Sequence, residues 1–468
     1  MNRFESRSAE QLGYFPPTKS HVPNPGMGIM SMLLSDHMIN IHAPELRGSK
    51  RPFDDAHRLP PVYPTFDEML AAAKYQFTDS LYIRVGWRDV QTTRGRLDLS
   101  PKFEEALEAV RQSGKSWSLR VMQCSPSNPE KSLIPDFARE IPTLELADEG
   151  FPGGGRLMPL YSDEFFALWS ELTELLGERF DADPALSYVD LSGFGFWGEG
   201  HHAGPQMRGI DDSVIGNHKK FNVCVEKFIN MHNIAFKKTP IVINAHHCEY
   251  ESGRKALENG AWLRRDSYFN WFKASEAEWG LLRRPDAAVV TETIIPLENR
   301  PENAKIDNHY QNFLELPDLK CDWGCHFAAI GFNPADTLYA AERYPELFTD
   351  FSRQIGYRIR PSIVWLTRSG ERKWLTLGLV NDGCVGLPGK LTLTARCAGI
   401  SSSVELTDVE NYNLCGHMTI VDIPFDGASG EVKLTASLKI KGKMLPVRFA
   451  TICADGDAPY ELTLKINN

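Results

Sequence analysis

Two glutamates in this chain close apolar runs, and together they define a chemistry. Between Tyr188 and His202 the residues Val189, Leu191, Phe194 and Phe196 suit a strand packed on both faces, and Glu199 stands just beyond them among glycines 193, 195, 198 and 200. Glu292 closes residues 287–290, Ala-Ala-Val-Val, in the same way. The C-terminal strand ends of an α/β barrel form its active face, so an acid there, flanked by Trp197, His201 and His202, is a candidate catalytic group. Two acids on one barrel mouth suit glycoside hydrolysis, in which one carboxyl delivers a proton to the leaving oxygen and one carboxylate attacks or stabilises an oxocarbenium-like centre. The plainer reading of Glu199 is a loop acid beside two solvated histidines.

Other side chains fit around that pair. Arg84 and Arg120 fall near the ends of two strands, where a guanidinium holds a carboxylate ionised or bonds sugar hydroxyls, or else makes a salt bridge inside the barrel. Trp87, Trp197, Trp262 and Trp323 lie near strand ends and offer flat faces to a pyranose, although most barrel tryptophans are core. Glu249 and Asp266 rival the two glutamates, with pairing to Arg264 or Arg265 as the structural alternative for both. Asn244, His246 and His326 are further hydroxyl-bonding candidates. The pairs His201-His202 and His246-His247, with Cys248 and Cys325-His326, invite a zinc site, yet no HExxH or paired CxxC spacing supports one, so neither metal nor cofactor is expected.

These residues need a frame that gathers strand ends. At 468 residues the chain fits one barrel of about 250 to 350 residues with a smaller domain. A polar arm, residues 1–20, precedes a short strand after the Pro-Asn-Pro-Gly turn at 23–26. Thr65 and Glu68 form a capping box opening a helix through Met69, Leu70 and Ala73. Residues 81–87 read as a strand, Ser100 and Pro101 open a helix that runs to Gly114, and 117–122 read as the next strand. A βαβαβ order calls for parallel strands. A helix at 163–180 carries Phe165, Leu168, Trp169, Leu172 and Leu176 on one face and feeds the strand at 188. Strands are expected again at 240–246, 261–266, 287–292 and 325–332. Helices are expected near 221–236, across Tyr268, Phe269, Phe272 and Trp279, and over 336–355. Of two long excursions, the one with His37, His42 and His57 is expected to cover part of the site, and the one holding Pro152-Gly-Gly-Gly155 reads as a wall of the cleft. Eight strands in this alternation make an α/β fold, a (β/α)8 TIM barrel over residues 21–356. From 357 to 468 the pattern changes to short alternating segments between Gly, Asn and Asp turns, an immunoglobulin-like β-sandwich.

Composition narrows the partners. With 51 Lys and Arg against 61 Asp and Glu, the net charge is −10, and no basic run is present to neutralise a phosphate backbone, so nucleic acid is not an expected partner. No apolar leader opens the sequence, and no uncharged stretch reaches the roughly 18 residues of a membrane span. Nine cysteines without framework spacing suit a reducing compartment, so the expected location is cytoplasmic, with a small carbohydrate as partner and a homo-oligomer allowed.

Residues 84–98, Arg-Val-Gly-Trp-Arg-Asp-Val-Gln-Thr-Thr-Arg-Gly-Arg-Leu-Asp, resemble the second-strand region of family 42 β-galactosidase-like barrels. Residues 183–201, ending Gly-Phe-Gly-Phe-Trp-Gly-Glu-Gly-His, are similar to a bacterial group of barrel-plus-sandwich proteins of unknown function. The resemblance, over about residues 20–356, is to clan A of the glycoside hydrolases. It implies an acid/base after the fourth barrel strand, Glu199, and a nucleophile after the seventh, Glu292. In a retaining enzyme their carboxyl groups would lie about 5 to 5.5 Å apart. Gly198 departs from the pattern, since clan A enzymes usually carry Asn there to bond the sugar 2-hydroxyl. Another donor, such as His201, Asn244 or His246, would have to do that work. The implied activity is a glycoside hydrolase on small oligosaccharides or glycosides. The alternatives are a non-catalytic carbohydrate-binding protein on the same barrel and a metal-dependent hydrolase. The hydrolase reading requires both acids to face one cavity, neither of them consumed by a wall cation.

Overall fold

The computed structural model describes residues 7–35, 62–125, 132–146, 155–159, 162–200, 218–266, 279–280, 282–292, 314, 325–407, 409, 418–454 and 456–466. The excursion at 36–61, most of the helix expected across 268–279, and His201, His202 and Trp323 lie outside them.

The arm ahead of the barrel contains a strand, β1 (Ser8–Tyr14), and the barrel opens with β2 (Gly28–Leu34). The chain then alternates through α1 (Phe66–Lys74), β3 (Ser80–Gly86), α2 (Pro101–Ser113) and β4 (Ser116–Met122). A small hairpin of β5 (Leu144–Leu146) and β6 (Gly155–Leu157) interrupts the third loop. After it come α3 (Asp163–Phe180), β7 (Leu186–Asp190), α4 (His218–Ala235), β8 (Ile241–Asn244), α5 (Glu251–Glu258) and β9 (Trp262–Arg265). The last barrel elements are β10 (Val289–Glu292), β11 (Phe327–Ala329), α6 (Pro334–Arg343) and α7 (Pro345–Gln354). Strands β2, β3, β4, β7, β8, β9, β10 and β11 pair in parallel and close into an eight-stranded barrel. The helix starts follow local chemistry: Thr65 accepts from the Glu68 amide while Glu68 reaches back to the Thr65 amide, and Ser100 and Ser162 accept from Phe103 and Phe165.

Strand alternation sorts the side chains into layers. Leu81, Ile83, Val85, Leu119, Val121, Val189, Ile241, Ile243 and Leu263 join one apolar layer with the helices, where Phe103, Phe165, Trp169 and Leu172 pack on them. Met30, Tyr188, Val242, Trp262, Val290 and Phe327 belong to a second apolar cluster that continues into the C-terminal domain. Tyr188, Trp262 and Phe327 have ring centroids 5.6 to 6.1 Å apart and form an aromatic floor inside the barrel. Burying such rings is worth roughly 2 to 3 kcal/mol each.

The C-terminal domain has two antiparallel sheets. One orders β1, β12 (Ile359–Ser369), β13 (Arg372–Asn381) and later β16, so the N-terminal arm supplies an edge strand. The other contains β14 (Lys390–Cys397) and β15 (Ile400–Leu406). Following β16 (Thr419–Pro424), it adds β17 (Gly430–Ile440) and β18 (Lys443–Val447); after the hairpin β19 (Ile452–Cys453) and β20 (Gly456–Asp457), β21 (Glu461–Ile466) pairs with β17. Alternation predicts seven of these strands from residue 359 onward; Ile400–Leu406, with three consecutive serines, carries too weak a pattern to be found that way.

The two domains are stapled at the N-terminal face of the barrel. Lys443 Nζ donates to the carbonyls of Asp183 and Leu186 at 2.8 and 2.9 Å and to Thr239 Oγ1 at 3.0 Å. His326 lies at the same end. It precedes β11, accepts the Val289 amide on Nδ1 and meets the Gly386 carbonyl through Nε2. His326 therefore sits at the wrong end of its strand for the substrate role expected of it. No helix among the described residues is long and apolar enough to cross a membrane.

Candidate active site

Above the aromatic floor the inward positions become charged. Tyr82 and Arg84 lie two residues apart on β3, and Arg84 stands in register with Arg120 of β4. Asp190 ends β7. Arg264 of β9 stands in register with Asn244 of β8 and Val290 of β10, which places Asp266 and Glu292 just above it. All of these are buried, as is Glu199, which follows β7 by a short loop.

They form one connected layer. Arg84 Nη2 and Arg264 Nη2 both donate to Glu292 Oε2, and Arg264 Nε donates to Asp266 Oδ1. Arg120 Nε donates to Asp190 Oδ2 at 2.9 Å, its Nη1 to Glu199 Oε1 at 2.8 Å, and its Nη2 stands 3.8 Å from Asp266 Oδ2. Tyr82 donates its hydroxyl to Asp190 Oδ2, while the guanidinium carbons of Arg264, Arg84 and Arg120 lie 4.7, 4.9 and 5.8 Å from the centre of its ring. Three guanidiniums thus face four carboxyls, and a single proton makes the layer neutral.

The carboxyls differ in affinity for that proton. Burial and the neighbouring Asp266 push Glu199 well above the ordinary carboxylate range, against the opposing pull of Arg120 and Arg84. Burial would also lift Asp266, but Arg264, Arg120 and Arg84 together hold it well below the usual value. Burial raises Glu292 more modestly, with Arg84 and Arg264 opposing. Among the described residues both guanidinium bonds to Glu292 fall on Oε2 and none on Oε1.

The loop carrying Glu199 is tightly coiled. Trp197, half-buried, adopts φ 53° and ψ 16°, a left-handed conformation that costs a non-glycine residue about 1 to 2 kcal/mol. Its carbonyl accepts from Arg120 Nη1 at 3.4 Å. Gly200 has φ 74°, and a Cβ on it would stand 2.2 Å from the His247 ring. His247 is fully buried and accepts the Asn244 amide on Nδ1, so it buttresses the Glu199 loop from behind.

The structure gathers Glu199, Glu292, Arg84, Arg120, Asn244 and Asp266 into this layer, with Trp197 and the half-buried His246 beside it. Trp87 does not join them. It follows β3 but is fully buried, donates Nε1 to Gln91 at 2.9 Å and packs edge-on against Trp169 and Phe137, so its role is in the wall between barrel and helices. Trp262 likewise belongs to the floor. The Asn244 amide donates to Asp266 Oδ2 and its Oδ1 accepts the His246 amide. Sequence reasoning missed Tyr82 and Asp190, named His247 only as half of a histidine pair, and treated Arg264 only as an ion-pair partner for Glu249 or Asp266. The available signal was a polar side chain two residues from another on a buried strand: Tyr82 and Arg84, Tyr188 and Asp190, Arg264 and Asp266. Among the described residues no three His, Cys, Asp or Glu side chains are arranged to hold a metal ion.

No protein-family profile matches the chain, and no curated protein matches it in sequence. Solved structures do resemble it in shape. The catalytic domain of a β-amylase from Paenibacillus polymyxa aligns over 68% of this chain and 98% of its own, at 9% identity and a TM-score of 0.43. A β-galactosidase from Rahnella sp. R3 aligns over 74% and 59%, at 12% identity and a TM-score of 0.42. Morphinone reductase also aligns, over 72% and 94% at 11% identity and a TM-score of 0.37. Likenesses this distant leave the function to be argued from the charged layer itself.

Proposed function

We propose that the protein is an intracellular glycoside hydrolase of the clan A type, retaining, acting on small oligosaccharides or glycosides, with Glu199 as general acid/base and Glu292 as nucleophile. The observation that carries this reading is the division of labour within one buried layer: Glu199 shares Arg120 with Asp266, and burial and that neighbouring charge push its proton affinity well up, while Glu292 gives one oxygen to two guanidiniums and keeps the other. The expectation that neither acid meets a wall cation is not met, since Arg120 bonds Glu199 and Arg84 and Arg264 bond Glu292; the reading rests instead on Glu292 Oε1, to which no described guanidinium donates. In the first step Glu199 gives its proton to the leaving oxygen, the glycosidic bond breaks, and Glu292 Oε1 bonds the anomeric carbon. In the second step Glu199 takes a proton from water, whose oxygen replaces Glu292. Trp197, Arg120 and His246, beside the two acids, are the proposed sugar contacts, with His201, His202 and Trp323 as further candidates. The seven described cysteines are all free thiols, as suits a reducing compartment.

A second reading has its own support. Every carboxyl in the layer meets a guanidinium, as a purely structural network would require, and this favours a sugar-binding barrel without turnover. Substitution separates the two. Glu199→Gln and Glu292→Gln are each expected to remove most turnover on a panel of aryl and disaccharide glycosides while leaving the circular dichroism spectrum unchanged. A fluorosugar inactivator that adds one glycosyl mass to Glu292 supports the nucleophile assignment. Undiminished turnover in either variant dismisses that residue, and sugar binding without turnover by the unmodified protein favours the binding role.

A further inference from the structure

The acid assigned to Glu199 does not stand alone on Arg120. One guanidinium spans two carboxyls, with Nη1 2.8 Å from Glu199 Oε1 and Nη2 3.8 Å from Asp266 Oδ2. Arg120 thus draws the two carboxyls to one cation, and the charge of Asp266 beside it raises the proton affinity of Glu199. Asp266 already accepts Arg264 Nε on Oδ1 and Asn244 Nδ2 on Oδ2, so it is the better-solvated anion. The proton therefore belongs to Glu199. Other charged or titratable groups around the pair are Arg84 from β3, Asp190 from β7, Glu292 from β10, and His247 behind Gly200.

We propose that Asp266 is the positioning residue that keeps the proton on Glu199 in the resting enzyme, an inference that rests on Glu199 being the acid/base. When Glu199 passes that proton to the leaving oxygen, two anions share one guanidinium, and their repulsion makes Glu199 a stronger base for the water that follows. The proton taken from water restores the pair. Asp266 need not touch substrate for any of this, and its charge is what matters.

The test is Asp266→Asn in the full-length protein. With the anion gone, the alkaline limb of the kcat/KM profile is expected to move down by at least about one pH unit. At neutral pH, turnover of a disaccharide, whose leaving group needs a proton, should fall by ~100-fold or more, whereas a dinitrophenyl glycoside should lose less than about 10-fold. An unchanged alkaline limb overturns the proposal. A second measurement does not depend on the variant folding: carbon-13 NMR of glutamate side-chain carboxyls in the wild type, with Glu199 assigned by the signal lost in E199Q. Glu199 protonated at neutral pH is expected, and an ionised Glu199 there overturns it. If E199Q keeps full turnover, the acid/base assignment itself falls; if E199Q is inactive while D266N keeps the wild-type limb, only the role of Asp266 falls.

Discussion

Replacing Arg84 by methionine probes how the charged layer is held. Arg84 is 4% exposed and Glu292 3%, so neither charge can turn to water when its partner goes. Removing one partner of a buried ion pair costs about 3 to 5 kcal/mol, and because Arg264 still donates to Oε2, the lower end, about 3 kcal/mol, is expected for R84M. The charge count sharpens this. In R84M four carboxyls face two guanidiniums, a surplus of two negative charges. In R84M/E292Q three carboxyls face two guanidiniums, the same surplus of one found in the unaltered protein. The double variant is therefore expected to be more stable than the sum of the single losses predicts, by at least ~1.5 kcal/mol. Urea unfolding of the four proteins measures the cycle. Losses that add to within about 0.5 kcal/mol would show that Arg84 and Glu292 are not coupled, and the account of the layer would fail. Activity gives a parallel readout. Arg84 pulls the Glu292 proton affinity down, so its loss should raise it and move the acid limb of kcat/KM to higher pH.

Two further outcomes follow from the structure. Gly200→Ala places a Cβ at 2.2 Å from the His247 ring on a backbone with φ 74°, and the left-handed cost and overpacking together are expected to lower stability by about 2 to 5 kcal/mol and to reduce turnover by displacing Glu199; thermal melting and kcat check both, and wild-type values would mean the loop is not braced there. At the opposite face His21 meets Asp79 Oδ1 at 2.7 Å and the Ser352 carbonyl at 3.0 Å, a doubly donating imidazolium. Burial alone would lower its affinity for the proton, but Asp79 and the carbonyl outweigh burial and raise it. A raised value in the fold means stability that is present below the unfolded value of about 6.5 and lost as pH rises through the folded one. Melting temperature should accordingly decline as pH rises above about 6.5 in the wild type, and His21→Gln should flatten that decline.

Much of the frame was legible because periodicity reports burial. Eight buried runs at the right spacing gave the barrel strands, and Thr65 and Ser100 marked helix starts through bonds that are local in sequence. The site was legible where a charge closes an apolar run, as with Glu199 and Glu292, and for Arg84 and Arg120 near the ends of their strands. Asp190 and Arg264 lie inside their runs, where one polar residue reads as an interruption rather than a layer, and their partners are 70 residues or more away for Arg120 with Asp190 and 28 for Arg264 with Glu292. The errors over Trp87 and His326 have one cause. Nearness to a strand boundary does not say which way a side chain turns or which end of the strand it occupies, and both depend on the register of neighbouring strands.

Stability alone gives no reason to build such a layer. Seven charged side chains inside a barrel lose their hydration, and apolar residues of similar volume are often as stable or more so than the ion network they replace. The floor immediately beneath, Tyr188 with Trp262 and Phe327, shows that this barrel fills its interior with rings where nothing else is asked of it. The switch from aromatic to ionic filling occurs one layer below the strand ends that would receive a substrate. There the charges are fixed in advance by one another, and a developing positive charge at an anomeric carbon would meet an anion that requires no reorganisation of water to stabilise it. The excess of carboxyls over guanidiniums is one, and one is the number of protons that an acid-catalysed departure consumes.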